Sequence, residues 1–171
     1  MNILDIIDNI KVKTIYGNLP ESVNNISQDS RKVGEGDVFV AIKGYTVDGH
    51  NYIEKVIEQG AALVIASRYE NYNVENCAVI VIKEHEIEKV ASMIAKKINE
   101  GSNVHTVAVT GTNGKTSIST LVHNMLRTLG KSSAYIGTNG FGKNDAEPVY
   151  FGNTTPDVVT LHNQIGELRR D

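Results

Sequence analysis

The sequence predicts an α/β fold, a small α/β unit over residues 1–102 followed from residue 103 by the start of a second unit built on a parallel sheet. Three observations carry this. The runs 38–42 (VFVAI), 61–66 (AALVIA), 78–82 (AVIVI) and 106–110 (TVAVT) are β-branched and continuously apolar. Strands buried on both faces read this way, whereas half-exposed strands alternate. Helical patterns lie between these runs, most clearly Ile87, Val90, Ala91, Ile94, Ala95 and Ile98. Strand–helix alternation argues for a sheet covered on both sides. The polar joint Glu100-Gly-Ser-Asn103 then marks a boundary between the units.

Taken in order, Ile3, Leu4, Ile6, Ile7 and Ile10 predict a short amphipathic helix, and residues 11–16 a strand closed by Gly17-Asn18. Residues 19–25 are polar and contain Pro20, so they read as loop. Gly34-Glu-Gly-Asp37 is a turn before strand 38–42. Residues 51–59 form a helix with Ile53, Val56 and Ile57 inward and Gly60 as its stop. Strands 61–66 and 78–82 follow, then the helix over 87–98. Strand 106–110 is expected to be buried. After it Ile118, Leu121, Val122, Met125, Leu126 and Leu129 recur at helical spacing, with Gly130 as the stop. Residues 133–136 read as a strand and 137–145, rich in Gly and Asn, as loop. Thr155, Pro156 and Asp157 suit the cap and first turn of a last helix carrying Val158, Leu161, Ile165 and Leu168.

Bulk properties exclude several classes. The 171 residues are 40% apolar and 22% charged, the composition of a soluble globular chain. A net charge of −3 gives no general attraction to nucleic acid or to anionic membrane. No apolar run approaches the roughly 18–20 residues of a spanning helix. The acidic start Met1-Asn-Ile-Leu-Asp5 lacks a basic leader, so a cytoplasmic location is expected. Cys77, the one cysteine, reads as a small core residue. His50, His85, His105, His123 and His162 show no metal-ligand spacing.

The chemistry concentrates in Gly111-Thr-Asn-Gly-Lys-Thr-Ser117. Strand, glycine loop, Lys-Thr and helix, in that order, form a phosphate cradle. Gly111 and Gly114 permit a tight turn that brings N–H groups against phosphate oxygens. The helix N-terminus adds its positive end. Lys115 neutralises the outer phosphates and the Thr116 hydroxyl ligates Mg²⁺. The strict eight-residue pattern would need glycine at position 109, where Val109 stands, so a plain strand–turn–helix with a solvated lysine is the competing reading. Two further clusters admit bland readings on residue chemistry alone. Asp29-Ser-Arg31 fits a cap or surface ion pair, and Thr154 and Thr155 fit helix capping.

Thr110-Gly-Thr-Asn-Gly-Lys-Thr116 resembles the Mur ligase family, ATP-dependent amide ligases that build the peptide stem of bacterial peptidoglycan; folylpolyglutamate and cyanophycin synthetases are similar there. Asp29-Ser-Arg31, then Gly36-Asp-Val-Phe-Val-Ala41, then Gly44-Tyr-Thr-Val-Asp-Gly-His50, and later Asn153-Thr-Thr-Pro156, are similar to the muramoyl-tripeptide synthetase branch. The likeness runs from Lys11 to about Ile165.

The resemblance implies that residues 1–102 bind the UDP-MurNAc substrate and residues 103–171 begin the central ATP-binding domain. It implies ATP contacts from Gly111, Thr112, Asn113, Gly114, Lys115, Thr116 and Ser117, with Lys115 and Thr116 serving catalysis and Thr116 holding Mg²⁺. It assigns UDP-substrate contacts to Ser30, Asn153, Thr154 and Thr155, and more weakly to Gln28 and the loop 45–47. The implied reaction adds a diamino acid to UDP-MurNAc-L-Ala-D-Glu through an acyl phosphate, in the service of cell-wall growth, cell shape and division. Residues 44–47 and 133–141 lean toward L-lysine, with meso-diaminopimelate the alternative. A full-length member is expected to be a monomer, free of nucleic acid and not inserted in a membrane. The sequence stops at Asp171 inside an apparent helix, and the resemblance implies further segments supplying acidic and histidine Mg²⁺ ligands, a carbamylated lysine and the amino-acid site. The chain is therefore expected to be an N-terminal portion, inactive alone, whose first unit folds independently and whose second leaves apolar faces exposed. An unrelated phosphate-loop NTPase and a non-catalytic binding module are the other readings.

Overall fold

In the computed structural model, which describes residues 7, 10, 14–44, 47–99, 104–144, 146–150 and 156–168, two units separate. The first comprises Met1–Glu100 and Val158–Asn163; the second comprises Gly101–Asp157 and Gln164–Asp171.

The first unit is built on a five-stranded sheet of order β1-β5-β4-β3-β2. Its strands are β1 (Thr14–Tyr16), β2 (Ile26–Ser27), β3 (Val38–Val40), β4 (Leu63–Ala66) and β5 (Ala78–Val81). β2, β3, β4 and β5 are mutually parallel, and β1 closes the edge antiparallel to β5. The register explains the unbroken apolar runs. Val38, Leu63 and Ala78 align across the sheet, as do Phe39, Val64 and Val79. Val38, Val40, Leu63, Ile65, Ala78 and Ile80 face one core; Phe39, Val64, Ala66, Val79 and Val81 face the other. A one-residue slip would exchange these sets, so two filled cores fix the register firmly.

Helix α1 (Ile53–Glu58) covers the second face with Ile53 and Val56. Helix α2 (Ile87–Ile98) covers the first with Ile87, Val90, Ala91, Ile94 and Ala95, the stripe the sequence predicts. Residues 158–163, the start of α4 (Val158–Glu167), add Val159 to that core. There the Asn163 side-chain amide donates to the Ile26 carbonyl at 3.2 Å. Cys77 is buried, and burial pushes its thiol up to about 11, so it is an inert core residue. The first predicted helix and residues 11–13 lie outside the described residues, Ile7 and Ile10 excepted.

The second unit holds α3 (Lys115–Thr128) and a hairpin of β6 (Ala134–Gly137) and β7 (Gly140–Lys143). Helix α3 ends as its sequence requires. Gly130 sits at φ 69°, its N–H donates to Arg127, and the Lys131 N–H donates to Leu126, closing a Schellman motif.

Two expectations are corrected here. Residues 106–110 are not a strand, and they are exposed rather than buried, Val107 at 82%, save Val109, which is half-buried. The two described strands of this unit bond to each other, so segment 106–110 has no ladder to join. β-propensity alone makes no strand without a neighbour. Residues 137–145, read as loop, contain β7. Gly140, at φ 85°, turns the chain at the Gly137–Gly140 pair, and Phe141 exchanges backbone hydrogen bonds with Val149 at 2.8 and 2.9 Å. Gly142 pairs with Tyr135, whose ring lies where a Cβ at 142 would sit. The apolar stripe of α3 forms as predicted and faces outward. Ile118, Leu121, Val122, Met125 and Leu129 are exposed, and the buried side chain of the helix is His123.

Candidate functional site

Gly114 starts helix α3 at φ 78°, a conformation that favours glycine, and it offers no side-chain cap. The first intrahelical bond runs from the Ile118 N–H to the Gly114 carbonyl at 2.9 Å. The N–H groups of Lys115, Thr116 and Ser117 therefore point out of the helix end, where the dipole is positive. The Lys115 ammonium folds over the preceding loop, donating to the carbonyls of Gly111 at 2.6 Å and Thr112 at 3.3 Å. Carbonyls of the loop that leads into the helix thus hold the cation. Outward N–H donors and a cation held on the adjoining loop suit a phosphate chain. Thr112, Asn113 and Ser117 are exposed around this point, and Thr116 is half-buried.

Thr116 Oγ1 donates to Thr138 Oγ1 at 3.5 Å. Thr138 sits at the tip of the β6–β7 hairpin and carries no role in the sequence reading. The hairpin reaches the loop because β6 is tied to α3 farther along. The Ser133 hydroxyl lies 2.8 Å from His123 Nδ1, and the Tyr135 ring meets the His123 ring edge-on at 5.1 Å. Among the described residues no group of three or more His, Cys, Asp or Glu could hold a metal ion. Thr116 fits Mg²⁺ as one ligand among phosphate oxygens, the usual way that cation sits on a nucleotide.

The second predicted cluster lies in the first unit. Asp29 and Arg31 form the ion pair that residue chemistry allows: Arg31 Nε donates to Asp29 Oδ1 at 2.9 Å and Nη2 to Oδ2 at 2.8 Å. The Arg31 guanidinium, with a bond from the Arg31 N–H, outweighs partial burial and holds the Asp29 carboxyl down to about 2. Ser30 between them is buried, at 8% exposure. Gln28 is half-buried and Val47 exposed. Tyr45, Thr46, Asn153, Thr154 and Thr155 lie outside the described residues.

Sequence reasoning missed what anchors the 44–47 loop. The Gly44 N–H donates to the Val47 carbonyl and the Gly49 N–H to the Ile42 carbonyl, each at 2.9 Å. Asp48 caps the 3₁₀ turn Gly49–Tyr52 by accepting from the His50 N–H at 3.0 Å. The His50 ring, buried, accepts the Ser67 N–H at Nε2 (3.1 Å), so Nδ1 carries the proton and donates to Asp48 Oδ1 at 2.7 Å. Arg68 adds a bond to Asp48 Oδ2 at 3.1 Å. Burial opposes ionisation of Asp48, but the bonds from the His50 N–H, the His50 ring and Arg68 together prevail and hold its carboxyl at about 2. The available signal was Asp48-Gly-His50, an Asx turn opening a short helix.

A glycine loop at the head of a helix, in a chain whose other unit is built on a largely parallel sheet, defines an α/β protein with the geometry of a phosphate-binding loop. The comparisons narrow this. The "Mur ligase family, catalytic domain" model matches residues 22–108 and the "Mur ligase middle domain" model residues 109–171. The chain belongs to the Mur ligase family. It is 41% identical, over 96% of its length, to the UDP-N-acetylmuramoyl-L-alanyl-D-glutamate–L-lysine ligase of Staphylococcus haemolyticus, of which it spans 33%. The same ligase of Staphylococcus aureus (strain COL) is 40% identical over 92% of the chain and 32% of the relative. The fold matches a solved UDP-N-acetylmuramoyl-L-alanyl-D-glutamate–2,6-diaminopimelate ligase with a TM-score of 0.72 at 24% identity, covering 99% of this chain and 34% of that one. A MurF ligase from Thermotoga maritima in complex with ADP matches at a TM-score of 0.53 and 25% identity, over 84% of this chain and 35% of that one. The chain thus spans about a third of the length of the curated relatives it matches.

Proposed function

We propose that this chain carries the UDP-substrate-binding part and the ATP-phosphate-binding loop of a ligase that adds L-lysine to UDP-MurNAc-L-Ala-D-Glu during peptidoglycan precursor synthesis in the cytoplasm. The observation that carries the reading is the head of α3, where an uncapped helix start follows a glycine loop whose carbonyls hold the Lys115 ammonium. Support for the particular reaction comes from relatives named as L-lysine ligases at 41% and 40% identity. The ADP complex of the Thermotoga maritima relative supports the nucleotide.

In this reading the loop 111–114 and the N-terminus of α3 bind the β- and γ-phosphates of ATP. Lys115 leaves its loop carbonyls for phosphate oxygens and spreads the charge that develops during transfer. Thr116 holds Mg²⁺ together with those oxygens. ATP supplies the phosphoryl group that gives the substrate carboxylate a leaving group, and the amine of the incoming amino acid then displaces phosphate. Neither Lys115 nor Thr116 acts as an acid or base; both orient and neutralise. Ser30 binds the UDP-muramoyl-dipeptide, a role the family resemblance also assigns, residue by residue, to Asn153, Thr154 and Thr155. The first unit is the substrate domain and the second begins the ATP domain.

Equilibrium binding to the 171-residue chain tests this. Lys115→Ala is expected to weaken ATP·Mg²⁺ binding about 10–100-fold, the loss of a charge-assisted cation–phosphate contact of about 1.5–3 kcal/mol, with UDP-MurNAc-L-Ala-D-Glu binding unchanged. Ser30→Ala is expected to do the reverse. Equal effects of either substitution on both ligands would refute the division of labour.

A further inference from the structure

The geometry points to Thr138 as a positioning residue of the nucleotide site, the acceptor that turns the Thr116 hydroxyl proton away from the bound cation. The inference rests on the ATP·Mg²⁺ reading above and deepens it.

A hydroxyl that ligates a divalent cation presents an oxygen lone pair to it. Its single proton must then point elsewhere, and an acceptor on that side fixes the hydroxyl in the productive orientation. Among the described residues the hydroxyl of Thr116 has Thr138 Oγ1 as its partner, at 3.5 Å. That length places Thr138 at the outer limit of a hydrogen bond, near enough to tighten when a cation draws on the Thr116 oxygen and its proton turns to Thr138.

The placement of Thr138 follows from the fold of its unit. The hairpin pairs Gly137 with Gly140, leaving Thr138 and Asn139 as a two-residue tip. β6 is pinned near one end through Ser133 and His123 and runs back along α3, so its far end reaches the start of the helix. Seven helical residues separate His123 from Thr116, about 10 Å of rise. Five residues of strand and turn separate Ser133 from Thr138, about 16 Å when extended. The strand therefore has the length to reach past the helix head. Thr138 is exposed and its backbone lies outside the left-handed region, so the hydroxyl is not needed to fill a core or to hold a turn.

The test is ATP binding to the full chain in MgCl₂ and in EDTA, with Thr138→Val and Thr138→Ser compared with the unaltered protein. Valine keeps the branched shape and removes the acceptor; serine keeps the acceptor. Loss of an outer partner of a metal ligand costs about 10–100-fold in metal affinity. Thr138→Val is expected to lose at least about tenfold of the Mg²⁺-dependent gain in ATP affinity, with ATP binding in EDTA unchanged and Thr138→Ser close to the unaltered chain. A valine variant with the full Mg²⁺ gain overturns the inference and leaves the nucleotide site standing. So does a loss of equal size in EDTA, or a serine variant as weak as valine. An unaltered chain that binds no ATP in either solution overturns the nucleotide reading and this inference with it.

Discussion

Replacing His50 with alanine tests how the first unit holds its 44–47 loop. The ring is 1% exposed and makes two strong contacts, accepting the Ser67 N–H at 3.1 Å and donating to Asp48 Oδ1 at 2.7 Å. A hydrogen bond to a charged group contributes about 1.5–3 kcal/mol, and leaving a buried N–H unpaired costs about 1–3 kcal/mol. Two features reduce the sum. Asp48 retains Arg68 as a partner, and its side chain is 21% exposed, so water reaches it. A net loss of about 3 kcal/mol follows, on the scale of the usual cost of breaking a buried polar network. With a urea slope of about 1–3 kcal/mol/M, the midpoint should fall by about 1–3 M. The assay is urea unfolding followed by tyrosine fluorescence, since Tyr16 and Tyr69 stack at 3.7 Å within this unit. Two partial replacements separate hydrogen bonding from packing. The amide of glutamine lies near the Nε2 position and can accept from Ser67; that of asparagine lies near Nδ1 and can donate to Asp48. Each should recover part of the loss. A His50→Ala midpoint within about 0.3 M of the unaltered chain, below 1 kcal/mol at such slopes, would refute the reasoning. Asn and Gln variants no better than alanine would assign the effect to packing.

The same network sets an acid response. The Asp48 carboxyl is held at about 2 against an ordinary 3.8, so its contribution is complete above pH 4 and is lost as pH falls from 4 toward 2. Asp48→Asn should flatten stability across that interval, leaving the residual slope of Asp29, and an unchanged slope would show that Asp48 is not depressed. The two units should also unfold separately. The first has two filled cores, whereas the second exposes Leu121 at 60%, Met125 at 58% and Leu129 at 70% along α3. Helical circular dichroism and the amide exchange of residues 115–128 are expected to change at lower urea than tyrosine fluorescence; coincident transitions would count against this.

The first unit was legible because its signals agree across levels. Val38, Phe39 and Val40 are β-branched or aromatic, and the fold buries them on alternating faces, so an unbroken run needed a sheet covered twice. The stripe from Ile87 to Ile98 has one periodicity and one destination. β7 was illegible for the opposite reason. Gly140-Phe-Gly-Lys143 has two glycines and no β-branched residue, and it becomes a strand through partners outside its own four residues, Val149 and the Tyr135 ring over Gly142. Local propensity contains neither contact.

The stretch 104–129 shows how far a motif can be read apart from its surroundings. Gly111, Gly114, Lys115 and Thr116 produce the loop and helix head through local chemistry alone: a left-handed glycine, an uncapped helix start and a lysine that reaches its own loop carbonyls. None of these needs a neighbouring strand. The TVAVT segment does, because a strand exists through its ladder, and without one it forms no strand and is largely exposed. The apolar stripe of α3 occupies an intermediate place. Its periodicity suffices for a helix, and its C-terminal Schellman motif closes it, yet burial of the stripe requires a surface that neither β6 nor β7 supplies. Among the described residues nothing covers Leu121, Met125 and Leu129. The glycine loop and helix head thus form as local geometry, while among the described residues the apolar stripe of α3 stays uncovered. Weak nucleotide binding with an intact Lys115 dependence is the behaviour this division predicts.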